Sequence, residues 1–284
     1  MENSELQDFI RLCLQEDIGT GDHSSLSCIP SGSEGTARLL VKQKGVLAGV
    51  RVAGAVFSLT DPGHRMNILI SDGSRVSPGD VAFFVTGSIH AILKSERLVL
   101  NIMQRMSGIA TSTSEYVARL EGLRTRILDT RKTAPGMRML EKEAVRLGGG
   151  NNHRMGLYDM IMLKDNHVDY AGGIARSIEK ACNYITRNGL DLRIEIEARN
   201  LEDVREIISA GKVDRIMLDN FSLPDTREAV KLIDGRFETE SSGGITLENV
   251  RDYALCGVDY VSVGAITHHL RSLDLSLKAV KESS

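Results

Sequence analysis

The stretch that decides the reading runs from Asp129 to His167: DTRKTAPGMR at 129–138, a short amphipathic segment, then GGGNNHRMGLYDMIMLKDNH at 148–167. Arg131, Lys132, Arg138, His153, Arg154, Lys164 and His167 all fall within these 39 positions, with few acids between them. Lys164 closes the apolar run Met160–Leu163, the pattern of a strand buried on both faces. A cation at the end of such a strand is held in place by it. The cluster therefore predicts a pocket for a small polyanion.

Outward from this stretch the chain repeats one unit. ILDT, DMIMLK, LRIEIEA, DRIMLDN, RFETESS and YVSVG are short strands, each ending in a polar or small residue and followed by a helix. The strand ends are Asp129, Lys164, Glu197, Asp219, Ser242 and Gly264, the last four at steps of 22, 23 and 22 residues. Such β/α repeats predict a parallel barrel or a doubly wound sheet. Parity chooses between them. Glu195 and Glu197 share one strand face, as do Glu238 and Glu240. Helices on both sides of an open sheet would bury these charges at several kcal/mol each, whereas a barrel interior can pair them below a site at its C-terminal mouth. Edge strands with one wet face are the alternative. Six units rather than eight predict an incomplete barrel.

Residues 35–87 read as short strands broken by Gly, Pro and Asp, a small α+β region without a catalytic cluster, preceded by an amphipathic helix. Residues 90–121 read as helical, with an interruption expected at Ser107–Gly108. Arg97 lies there, a solvated helix arginine or a functional one on spacing alone. The 284 residues carry 26% charged side chains and a net charge of −3, which excludes a wholly basic nucleic-acid binder. No apolar run approaches the ~18 residues of a membrane span. Four cysteines without a CxxC pair suit a reducing, cytoplasmic setting. The acidic, amphipathic N-terminus does not read as a signal peptide.

At one mouth the strand ends would present Arg131, Lys132, His153, Arg154 and Lys164 as cations, and Glu197, Asp219 and Asp129 as carboxylates. Ser242, Gly243 and Gly244 precede a helix with Thr246 as its expected N-cap, which suits an anion at backbone N–H groups. Gly264 and Ala265 supply another such turn. Glu197 and Asp219, without a His or Cys companion, have the oxygen chemistry of Mg²⁺ ligands; otherwise Asp219 caps the next turn. Arg131 and Arg154, with a histidine and two lysines, call for a ligand with more than one acidic group.

ERLVLN, SGIAT, DTRKTAPGMR, GGGNNHRMGLYDMIMLKDNH, the IEIEA and IMLDNF strand ends, SSGGIT and GAITHH together resemble the quinolinate phosphoribosyltransferase family. The resemblance spans nearly the whole chain, including EDIGTGD near its start; GAITHH departs slightly, with Ile266 where a leucine is expected. It implies an α/β fold with an N-terminal α/β sandwich domain, residues 1–109, beside an incomplete α/β barrel, residues 110–267. A C-terminal helix, 268–284, is expected to return to the first domain. The implied reaction transfers phosphoribosyl from phosphoribosyl pyrophosphate to quinolinate with loss of CO₂. Arg131, His153, Arg154 and Lys164 would hold the quinolinate carboxylates, with Arg97 reaching in from a neighbouring subunit. Lys132, Lys164, Glu197 and Asp219 would serve phosphoribosyl pyrophosphate and Mg²⁺, with Lys132, Glu197 and Asp219 catalytic. Ser242, Gly243, Gly244, Gly264 and Ala265 would meet the phosphate. A homodimer with a shared site is implied at minimum, a hexamer being the larger assembly. A monocarboxylate transferase, an aldolase using Lys164 as a Schiff base and a non-enzymatic anion-binding barrel are the rival readings.

Overall fold

The computed structural model describes residues 3–280, and their contacts divide into two units that cross the chain rather than halve it. One takes the chain to Ser114, then Ala134–Gly149, then His269 onward; the other takes Glu115–Thr133 and Gly150–His268. In chain order the elements are α1 (Asn3–Ile18), α2 (His23–Cys28), β1 (Glu34–Val41), β2 (Gly45–Val46), α3 (Val50–Thr60), β3 (Arg65–Ile68), β4 (Arg75–Val76), β5 (Val81–Ser88) and α4 (Ile89–Arg119). There follow β6 (Arg126–Leu128), α5 (Arg138–Leu147), β7 (Ile161–Leu163), α6 (Asp165–Ala171), α7 (Ile174–Asn188), β8 (Ile194–Ala198) and α8 (Leu201–Ala210). The chain ends with β9 (Arg215–Asp219), α9 (Leu223–Ile233), β10 (Glu238–Ser242), α10 (Val250–Ala254), β11 (Tyr260–Ser262), α11 (Ala265–His268) and β12 (Leu275–Ala279).

The first unit is built on an antiparallel sheet in the order β12-β1-β5-β3. Its strands bury alternate residues: Ala37, Leu39 and Val41 on β1, Leu275 and Leu277 on β12. The expected helix at 268–284 is therefore corrected. Leu273, Leu275 and Leu277 repeat at period two, the strand period, and β12 pairs antiparallel with β1 from Ala37↔Ala279 to Val41↔Leu275. The tail does return to the first unit, but as an edge strand; residues 281–284 lie outside the described residues. The boundary also shifts from 109/110, because residues 110–114 and the α5 segment belong to the first unit.

Helix α4 runs unbroken through Ser107–Gly108. Gly108 marks a close approach instead of a break: a Cβ there would collide with the Arg271 carbonyl oxygen and lie 3.1 Å from Ser272 Cα.

The second unit is a six-stranded parallel sheet in the order β6-β11-β10-β9-β8-β7. Its two edge strands are not joined to each other, as in an open barrel. Asn151 runs alongside β6, donating to Ile127 O at 2.8 Å and accepting from Asp129 N–H at 3.1 Å. Glu195 and Glu240 lie on interior strands and are fully buried, so the wet-edge alternative is excluded. Side-chain caps start the outer helices close behind the strands. Asn200 accepts from Asp203 N–H before α8, and Ser222 accepts from Asp225 N–H before α9. Each strand end is thereby left at the mouth.

Gly108→Ala gains up to about 1 kcal/mol of helix propensity but forces backbone apart, a cost of about 1–3 kcal/mol for overpacking. A net fall in the urea unfolding midpoint is expected; an unchanged or higher midpoint contradicts the close crossing.

Candidate active site

Parallel strands bring their C-terminal ends to one edge, and register decides which side chains meet there. Glu197 pairs with Met217 and Ser242 with Asp219. Glu197 and Asp219 consequently point to the same face from adjacent strands. Lys164, one residue past β7, places Nζ 3.1 Å from Glu197 Oε2. Asn220 holds Asp219 from the other side, donating from Nδ2 to Oδ2 at 2.7 Å, and its N–H donates to Ser242 O. Asp219 is therefore no helix cap, since Ser222 performs that task.

The Ser242–Gly244 turn fits closely over this pair. Gly243 has φ +91°, and a Cβ on it would overlap the Asn220 side chain. Thr246 caps the turn that leads into the helix and not the helix itself, its Oγ1 accepting from Glu248 N–H at 3.3 Å. The short α10 starts four residues later, and Thr246 N–H donates to Asn249 Oδ1 at 2.8 Å. On the other flank, Gly264 lets Lys132 approach; a Cβ there would lie 3.2 Å from Lys132 Cδ. Thr267 Oγ1 donates to Lys132 O at 2.8 Å and ties the DTRKT loop to α11. Sequence reasoning gave Asn220 and Thr267 no role, although GAITHH contains the threonine.

Arg131 and Lys132 are exposed, whereas Arg154 is 8% exposed and donates from Nη1 to Met160 O at 3.2 Å. Burial lowers the proton affinity of the Arg154 guanidinium, and the charge of Arg131 lowers it further, against the pull of Glu195 and Asp159. Two guanidiniums are thus held in each other's field. Arg97 belongs to the first unit, exposed on α4, where it lines a cavity of about 320 Å³ with Glu16, Asp17, Asn101 and Arg105.

Beneath the mouth lies a charged layer. Arg215 Nη1 is 2.9 Å from Glu240 Oε2 and 3.6 Å from Glu195 Oε2; its Nη2 is 3.1 Å from Glu238 Oε2. The guanidinium also stacks over Tyr260, 4.2 Å from the ring centroid. His153 joins this layer instead of turning to the mouth. Its Nε2 lies 3.0 Å from Glu195 Oε2 and 3.6 Å from Glu240 Oε2, and its Nδ1 accepts from Arg154 N–H at 2.7 Å. The expected direct contact of His153 with a substrate carboxylate is corrected accordingly. Asp129, expected beside the mouth carboxylates, is fully buried, and its Oδ1 accepts from His153 N–H at 2.8 Å.

Burial, with Glu195 nearby, raises the Glu240 carboxyl to about 7 despite His153 and Arg215. For His153, burial works against the charged ring, but the bond to Glu195 and the charges of Glu240 and Glu195 outweigh it, so the net direction is up. A second proton would have to sit on Nδ1, where the Arg154 N–H already points.

The family described as quinolinate phosphoribosyl transferase matches in both parts, its C-terminal domain over residues 109–278 and its N-terminal domain over 22–107. The chain is 42% identical over 289 aligned positions to quinolinate phosphoribosyltransferase [decarboxylating] 2b, mitochondrial, of Nicotiana tabacum, covering 96% of this chain and 82% of that protein. It is 43% identical over 277 to the probable nicotinate-nucleotide pyrophosphorylase [carboxylating] of Bacillus subtilis, covering 98% and 94%. The crystal structure of NadC from Streptococcus pyogenes superposes with a TM-score of 0.93 at 37% identity, covering 99% of both chains.

Folded Glu240 keeps its proton to about pH 7, against 4.5 ordinarily. Between those values the folded state binds more protons than the unfolded one. The Glu240 contribution to stability is therefore full below pH 4.5 and lost as pH rises through 7. Glu240→Gln should flatten that fall in a pH series of unfolding free energies; an undiminished slope contradicts the raised carboxyl.

Proposed function

The chain belongs to the quinolinate phosphoribosyltransferase family, and on that premise we propose that it transfers phosphoribosyl from phosphoribosyl pyrophosphate to quinolinate. The products are nicotinate mononucleotide, pyrophosphate and CO₂, a step of NAD biosynthesis. The observation that carries this reading is the array of strand ends at one mouth, where Lys164 lies 3.1 Å from Glu197, Asp219 shares the face of Glu197, and the buried Arg154 feels the charge of Arg131. Cations gathered at one mouth suit a dianion, and an aromatic diacid offers planar carboxylates to guanidinium forks.

In this reading Arg131, Arg154 and Lys164 hold the two carboxylates, and Arg97 completes the grip from a second subunit of a homodimer. The enzyme works in the cytoplasm. Ser242, Gly243, Gly244, Gly264 and Ala265 line the phosphate, where the tight turn at Gly243 brings backbone close to the ligand. Glu197 and Asp219 suit a hard cation: both are carboxylates, on one face, each with one oxygen engaged by Lys164 or Asn220. Mg²⁺ held there would supply positive charge against the pyrophosphate of the donor.

The ring nitrogen of quinolinate attacks C1 of the ribose, and the C1–O bond to pyrophosphate breaks with its electron pair going to oxygen. Lys132, anchored through its carbonyl by Thr267, stabilises the charge that develops on the leaving group. The alkylated nitrogen is then cationic and accepts the pair released when the 2-carboxylate departs as CO₂; a proton replaces it at C2. A cation gripping the 2-carboxylate hard would stabilise the ground state. The tightest arginine contacts accordingly go to the 3-carboxylate.

Purified protein given quinolinate, phosphoribosyl pyrophosphate and Mg²⁺ should release CO₂ and form nicotinate mononucleotide; turnover of nicotinate in preference to quinolinate contradicts the assignment. Lys132→Ala should lower kcat by about 10²–10³ with KM for quinolinate little changed, and an equal loss of quinolinate affinity would count against its role. Arg97→Ala and Arg154→Ala proteins, each nearly inactive alone, should regain activity when mixed and reassociated. No recovery in the mixture argues against a shared site.

A further inference from the structure

His153, Glu195 and Glu240 place a ring nitrogen and two carboxylate oxygens within 4.8 Å of one another, all buried. Three such groups could hold a metal ion, but Arg215 already brings its guanidinium to 2.9 Å from Glu240 and 3.6 Å from Glu195. A second cation inside that layer would meet a fixed positive charge at close range. A metal ion would have to displace that guanidinium, and the geometry of the cluster leads elsewhere.

Four contacts converge on the backbone that carries Arg154. Asp129 Oδ1 takes His153 N–H at 2.8 Å. His153 Nδ1 takes Arg154 N–H at 2.7 Å. His153 Nε2 faces Glu195 at 3.0 Å and Glu240 at 3.6 Å. The imidazole is thus spanned between the amide of Arg154 and an acidic pair that Arg215 in turn holds. Nδ1 accepts the Arg154 N–H and so carries no proton in the neutral ring, which leaves the ring proton on Nε2, on the side of the carboxylates but not aligned in a hydrogen bond to either. The ring is buried, with Nδ1 on the Arg154 amide and Nε2 on the side of the two glutamates, turned from the mouth.

We propose that His153 is a positioning residue and not a substrate ligand: packed between the buried Glu195–Glu240 pair and the Arg154 amide, it aims the Arg154 guanidinium at the quinolinate carboxylate. This rests on the reading that Arg154 binds quinolinate. Asp129, on the other side of the same peptide, shares the task. The layer acts as a carboxylate-oriented histidine does at many metal sites, with an arginine side chain as the element being oriented.

The test is a double-variant comparison in the full-length enzyme: kcat/KM for quinolinate at saturating phosphoribosyl pyrophosphate in the unchanged protein, His153→Asn, Arg154→Ala and the two together. His153→Asn should lower kcat/KM by about tenfold when Arg154 is present and by less than about twofold when it is absent, the coupling expected of residues acting as one unit. Equal, additive losses would overturn the proposal, because a histidine that touches the substrate keeps its own contribution without Arg154. If Arg154→Ala alone leaves kcat/KM intact, the assignment of Arg154 as a ligand fails, and this inference with it. Nitrogen-15 NMR of histidine-labelled enzyme provides a check that needs no stable variant. At pH 8 one ring should show a protonated Nε2 and a bare Nδ1, unchanged by quinolinate. Double protonation of every buried histidine ring on adding quinolinate would contradict it.

Discussion

Carboxylates taken out of water without a cation cost several kcal/mol each, and this parallel sheet turns Glu195 and Glu240 inward. Arg215 and His153 answer that demand. Arg215 pairs in register with both Glu195 on one side and Glu238 on the other. A slip of one residue would move the arginine and the glutamates to the helix-facing side. His153 reaches the same carboxylates from the segment beside β6, at the far edge of the sheet. An edge residue can touch side chains from β8 and β10 only if the sheet curls around them. The ionic layer therefore contributes to register and curvature alike.

The site inherits its order from that layer. Glu197 stands two residues beyond Glu195, Asp219 four beyond Arg215 and Ser242 two beyond Glu240, so all three share the inward face one or two steps nearer the mouth. Arg154 follows His153 directly in the chain. Groups that must meet a polyanion are thus extensions of groups already locked by charge pairing, which limits the reorganisation left for binding. The small residues serve the same end: Gly243 gives room to Asn220, and Gly264 gives room to Lys132.

Much of this was legible from the chain alone, because period and parity are local signals. The six strand ends and the inward glutamates follow from alternation over four or five residues. What was not legible depended on partners distant in sequence. Gly108 looks like a helix break until the carbonyl of Arg271 is beside it. Thr246 reads as an N-cap, but the turn it caps stands four residues ahead of α10 and is closed from the other end by Asn249 Oδ1. His153 sits among cations, and only the fold reveals that its ring is taken by glutamates 42 and 87 positions later. The terminal strand is a different case. Leu273, Leu275 and Leu277 alternate plainly, and the expected helix came from the family resemblance overriding that pattern.

The central claim is that a buried ionic layer aims the cations of the mouth at an aromatic diacid. A high-resolution crystal structure of the enzyme with quinolinate bound tests it most directly. The account predicts carboxylates held by Arg131, Arg154 and Lys164, with the His153 ring still turned to Glu195 and Glu240. A ring swung out to contact a quinolinate carboxylate, or a diacid seated away from Arg154, would contradict it.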